Sequence, residues 1–145
     1  MFELGTDGPS KILVGVDGSD GSMRAAAYAA GLARRQHARL ICVFVAHIPA
    51  LMATTPAAVA AAVEMNRSIA DNLRAAITEN APRIGMDIAF VEMTGSPFDE
   101  IVRIADELRV DAVVVGASTS GGRRWVGSMA LRLVKAARWP VTVVP

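Results

Sequence analysis

Lys11–Ser22, KILVGVDGSDGS, is the stretch that decides the fold. Lys11–Val16 is a near-continuous apolar run, the pattern of a parallel strand covered on both faces. It ends at Asp17 and gives way to Gly18, Ser19, Asp20, Gly21 and Ser22. These small residues suit a short loop that opens a helix, with Ser19 or Asp20 placed to cap it. Alanine-rich turns then carry the predicted helix from about Gly21 to Gln36. Strand, loop and helix in that order form the building unit of an open α/β sheet.

The same unit recurs along the chain. Arg39–Val45 reads as a second strand, Ala46–Thr55 as a loop, and Pro56 as a helix start, where its missing N–H costs nothing. That helix is expected to reach about Asn80, with Val59, Val63, Ile69, Leu73 and Ile77 on one buried face. Asp87–Met93 is the third strand, and Pro97 opens a third helix to about Leu108. Ile101, Ile104, Ala105 and Leu108 form its inward stripe. Asp111–Val115 is the fourth strand. A last helix runs from near Ser128 to near Arg138, and Val141–Val144 is the fifth strand. The alternation predicts the α/β class: an open, Rossmann-like, doubly wound sheet of five parallel strands, helices on both faces, joined by right-handed crossovers. One domain is expected across residues 1–145, with 1–10 as a flexible N-terminal extension. The fifth strand is a short apolar edge, and pairing of two such edges in a homodimer through residues 141–144 would shield it.

Composition narrows the function. Lys and Arg number 15 against 14 Asp and Glu, so the net charge of +1 gives no field for gripping nucleic acid or an anionic membrane. Hydrophobic residues at 52% exclude an intrinsically disordered chain. Leu40–Val63 lacks charged residues, but His47, Pro49, Thr54, Thr55 and Pro56 interrupt it, so it does not read as a membrane span. Met1–Ser10 has neither the basic nor the apolar region of a signal peptide. The lone Cys42 lies in an apolar run and reads as a buried, inert thiol. A soluble cytoplasmic protein is expected.

In open α/β sheets ligands bind in loops beyond the carboxyl ends of strands, at the point where strand order reverses. Two loops here qualify. Gly116–Gly122, GASTSGG, combines glycines with the hydroxyls of Ser118, Thr119 and Ser120, and can turn several backbone N–H groups toward a phosphate chain. Arg123 and Arg124 follow, able to pair with phosphate oxygens or to form a solvated face. Gly127-Ser128 stands where a helix begins: Ser128 reads either as part of an anion site at the helix N-terminus or simply as its cap. Asp17, at the end of the first strand, reads either as an acceptor for a base or ribose or as a cap of the first helix.

KILVGVDGSDGSMRAAAYAAGLA resembles the opening strand and helix of the universal stress protein family. GSPFDEIVRIADELRVDAVVVGAS resembles its third helix and fourth strand, and GSMALRLVKAARWPVTVVP its closing helix and strand. The resemblance spans Lys11–Pro145. It implies sheet order 3-2-1-4-5, frequent dimerisation through the fifth strand, and ATP binding in one branch, whose pattern after the fourth strand is G-x2-G-x9-G-[ST]. Here Gly116 fills the first position, Thr119 replaces the second glycine, and only seven residues separate Thr119 from Gly127. By this resemblance Gly15, Asp17 and the Val45 backbone would hold the adenosine end of ATP or another adenine nucleotide, such as AMP or cyclic AMP. Gly116, Thr119, Gly127, Ser128 and the Met129 N–H would hold the phosphates.

Other chemistries lack their residues. No lysine follows the glycines as a P-loop requires. A nucleophile elbow G-x-S-x-G would need glycine where Ser120 stands. His37, His47 and Cys42 are too scattered for a zinc site, and no general base is placed near Ser128 for more than a slow ATPase. Two readings follow: a stress-response module that binds an adenine nucleotide and alters contacts with a protein partner, or a nucleotide-free dimeric interaction module whose shortened loop is a tight turn.

Overall fold

The computed structural model describes residues 8–120 and 122–145. The extension expected over 1–10 falls mostly outside them. Seven strands and four helices follow in chain order: β1 Lys11–Val16, α1 Asp20–Gln36, β2 Arg39–Ala46, α2 Pro56–Ile84, β3 Ile88–Thr94, α3 Pro97–Glu107, β4 Ala112–Gly116, β5 Ser118–Ser120, β6 Arg123–Trp125, α4 Ser128–Ala136 and β7 Val141–Val144. A single turn of 3-10 helix, Ala50–Met52, precedes α2. The main sheet is parallel with order β3-β2-β1-β4-β7, as expected once β7 is counted as its fifth strand.

Alternation along each strand explains why β1 and β4 read as unbroken apolar runs. Ile12, Val14 and Val16 pack with Leu40, Cys42 and Phe44 under α1 and α2; Leu13, Ile41, Val43, Val113 and Val115 pack under α3 and α4. Both faces are buried, so both sets must be apolar. Ala25, Ala29 and Ala33, spaced by four, are fully buried and let α1 lie close on the sheet. Cys42 is buried among them, and burial pushes its thiol up to about 12. Asp111 ties β4 to β1: its Oδ2 accepts from the Ser10 N–H (2.9 Å), the Ser10 hydroxyl (2.9 Å) and the Lys11 N–H (3.0 Å).

Three expectations need correction. Residues 118–125 are not a plain loop: β5 and β6 pair antiparallel as a hairpin, Ser118 opposite Trp125 and Thr119 opposite Arg124. The second helix does not stop near Asn80 but continues through Pro82 to Ile84, ending on Gly85 at φ 66°. Nor is its whole apolar stripe buried. Leu73 is covered, but Val63 is 44% exposed, and the buried residues of this 29-residue helix, Ala70, Leu73 and Ala81, all lie from its middle onward.

Candidate functional site

The chain runs outward from β1 to β3 and then returns to add β4 and β7 on the other side, so strand order reverses between β1 and β4. Beyond the carboxyl ends of these two strands lies a cavity of about 760 Å³. The eight residues that the family resemblance assigns to a nucleotide all line it: Gly15, Asp17, Val45, Gly116, Thr119, Gly127, Ser128 and Met129.

The floor is apolar. Gly15 points to the α3 side of the sheet, and a Cβ there would sit 3.1 Å from Ile101 Cδ1. The absent side chain leaves a hollow walled by Val43, Val45, Ile101 and Val115. This apolar lining suits a flat ring better than a chain of charged groups. At the rim stands Asp17. Its Oδ1 accepts the Ser19 N–H at 2.9 Å, an Asx turn that Gly18 permits by taking φ 84°. Burial beside the strand end pushes the Asp17 carboxyl up, but hydrogen bonds from Ser19 and Ser22 outweigh it, and the net direction is down. Asp17 is thus a carboxylate at neutral pH, able to accept from hydroxyls. It does not cap α1. Ser19 does, its side chain accepting from the Ser22 N–H, while the Ser22 hydroxyl accepts from the Asp17 N–H.

The opposite end is built of backbone. Gly21 and Gly116 face each other so closely that a Cβ at Gly116 would overlap the Gly21 carbonyl, and one at Gly21 would lie 2.6 Å from the Ala117 oxygen. Gly127 is buried against Ser118, whose hydroxyl a Cβ at Gly127 would strike. Gly127, not Ser128, is the N-cap of α4. No side chain caps that helix, and Ser128 is its exposed first residue. The reading of Ser128 as the cap is therefore corrected: the boundary lies one residue earlier, at a glycine with no side chain to offer. The first N–H groups of α4, those of Ser128 and Met129 included, are left with the partial positive charge of a helix start.

The hairpin sorts the two arginines. Alternation along β6 turns Arg124 into the cavity beside Thr119, its register partner, and leaves Arg123 out of the lining. Ser118 and Gly122 also line the cavity; the Ser120 side chain and Gly121 lie outside what is described. Sequence reasoning missed Arg24, Gly21 and Pro97, which line the cavity too. Gly21 and Arg24 sit in a stretch dominated by the α1 pattern. The one signal was the glycine in the first turn of an otherwise alanine-rich helix. None of residues 46–62 lines the cavity; Ala46, His47 and Ile48 line a separate hollow of about 450 Å³, and Leu51 and Met52 are exposed. No group of three or more His, Cys, Asp or Glu that could hold a metal ion occurs among the described residues. No helix among them is long and apolar enough to cross a membrane.

Comparison with known proteins places this geometry. A universal stress protein of Methanocaldococcus jannaschii is 28% identical over 137 residues, covering 92% of this chain and 81% of its own. A protein of the universal stress protein family from Burkholderia pseudomallei has a crystal structure that matches with TM-score 0.70 and 30% identity, over 94% of this chain and 96% of that one. A universal stress protein crystallised in complex with cAMP matches with TM-score 0.60 and 27% identity, over 94% and 96%. The model of the universal stress protein family matches residues 9–145, from the first turn before β1 to the end of β7, and the chain belongs to that family.

Proposed function

We propose that this protein is a stress-response module that binds an adenine nucleotide in the crevice between the ends of β1 and β4. The observation that carries the reading is the convergence of two loops, residues 15–22 and 116–129, on one cavity with an apolar floor and a backbone-rich, positively biased end. In this reading Gly15, Asp17 and the Val45 backbone hold the adenosine, with Asp17 accepting from the ribose. Gly116, Thr119, Gly127, Ser128 and the Met129 N–H hold phosphate at the start of α4. Binding orders the hairpin against α4 and changes the surface that a protein partner meets. The relative crystallised with cAMP supports a nucleotide of this class. Titration with ATP, AMP and cyclic AMP, read by calorimetry and by equilibrium dialysis, tests it. Saturable binding of at least one is expected; none for all three rejects it.

One observation favours a second reading, a nucleotide-free dimeric module. The phosphate segment is folded into a paired hairpin, and Ser118 fills the space against Gly127. In both readings the exposed edge of β7 joins two copies. Light scattering should then give twice the 15.2 kDa chain mass; a monomer removes the edge-paired dimer. The second reading is favoured if the dimer forms and no nucleotide binds.

A further inference from the structure

Arg24 has two relations at once. It lines the cavity, and its Nε donates to the main-chain carbonyl of Pro145, just past β7, at 3.1 Å. Its guanidinium folds back along α1: one Nη lies 3.8 Å from where a Cβ on Gly21 would stand, beside the Ala117 carbonyl. That is the seam where α1, the exit of β4 and the end of β7 meet. Arg24 has no Asp or Glu partner within ion-pair distance among the described residues. The cavity's other lining cation is Arg124 of the hairpin; its acidic lining residues are Asp17 and Asp20, the latter one turn before Arg24 on α1 but not ion-paired with it. Of the five guanidinium donors only Nε is engaged, by the Pro145 oxygen; no hydrogen bond from the other four occurs among the described residues, and a phosphate can accept two of them at once.

We propose that Arg24 is a ligand-binding residue that makes the cavity prefer phosphorylated ligands over the bare nucleoside. The Pro145 oxygen holds the guanidinium in place through Nε. A phosphate entering the cavity beside Arg24 takes up its free Nη donors. The resting contact limits the side chain's freedom beforehand, so little ordering remains to be done on binding. The inference rests on the nucleotide reading above for the identity of the ligand, but its chemistry requires only a phosphate group.

Adenosine, AMP and inorganic pyrophosphate are titrated into the wild type and Arg24→Gln. The expected result is that the glutamine variant loses roughly tenfold in AMP affinity, the size of one charge-assisted contact, with adenosine affinity unchanged. A variant that weakens both equally, or neither, overturns the assignment of Arg24 and leaves the nucleotide reading standing. Pyrophosphate binding that depends on Arg24, with no binding of adenosine or AMP, supports Arg24 and rejects the nucleotide. No saturation by any of the three overturns both. If Arg24→Gln fails to fold, Arg24→Lys reads the same ratio, since it keeps the charge and loses the two-pronged fork.

Discussion

Ser128 shows how far one residue's environment decides its role. Because α4 is capped by the Gly127 backbone and not by a hydroxyl, Ser128→Ala should leave stability within about 0.5 kcal/mol of wild type in urea unfolding. A true cap would cost about 1 kcal/mol. The same variant should lower AMP affinity severalfold if Ser128 contacts phosphate. Asp111 is the opposite case. Its carboxylate gathers three donors at the start of β1, so Asp111→Ala should cost about 1–2 kcal/mol. The two serines looked alike in sequence. Ser19 and Ser128 both follow a glycine at a helix start, yet only Ser19 caps, because helix boundaries read from pattern are uncertain by a residue and a cap is defined by one.

Among the elements, legibility follows burial. β1 and β4 were plain because both their faces are covered, and the alanine stripe of α1 because its period matches the helix. The hairpin was not. Its strands are three residues each, polar and exposed at Arg123–Trp125, and carry no periodicity; only the Gly121-Gly122 pair between two short runs hinted at a turn. The early turns of α2 misled for a different reason: periodicity reports which residues share a face, not whether that face is covered. Two glycines test the element contacts. Gly31, inside α1 with nothing near its Cα hydrogen, should gain about 0.5–1 kcal/mol on conversion to alanine. Gly116→Ala should lose about 2 kcal/mol or more, since the Gly21 carbonyl is backbone and must move. Thermal or urea unfolding of the pair should show opposite signs.

For the molecule as a whole, the two carboxylates with resolved shifts act in the same sense. Burial pushes both Asp17 and Asp111 up, and hydrogen bonds to Ser19 and to Ser10 and Lys11 bring each net below the ordinary carboxylate value of about 4. A depressed folded value means that each contributes stability above the unfolded value, lost as pH falls through the folded one. Unfolding free energy should therefore be flat from neutral pH to about 5 and fall below about 4. The Asp17→Asn, Asp111→Asn double variant should show a shallower fall over that window. The parallel sheet was readable from strand–helix alternation, its order only from the family resemblance, and the crevice from the rule that ligands bind where strand order reverses. The contact of Arg24 on α1 with Pro145 beyond β7 was not, because it joins residues 121 positions apart.

Cys42, the chain's only thiol, sits in the middle of β2 with its proton held far above neutral pH. A thiol reagent added to the native protein thus has nothing to attack until the sheet opens. Modification should proceed at the pace of unfolding and accelerate with denaturant, so that without any engineered label the chain reports its own lifetime in the folded state.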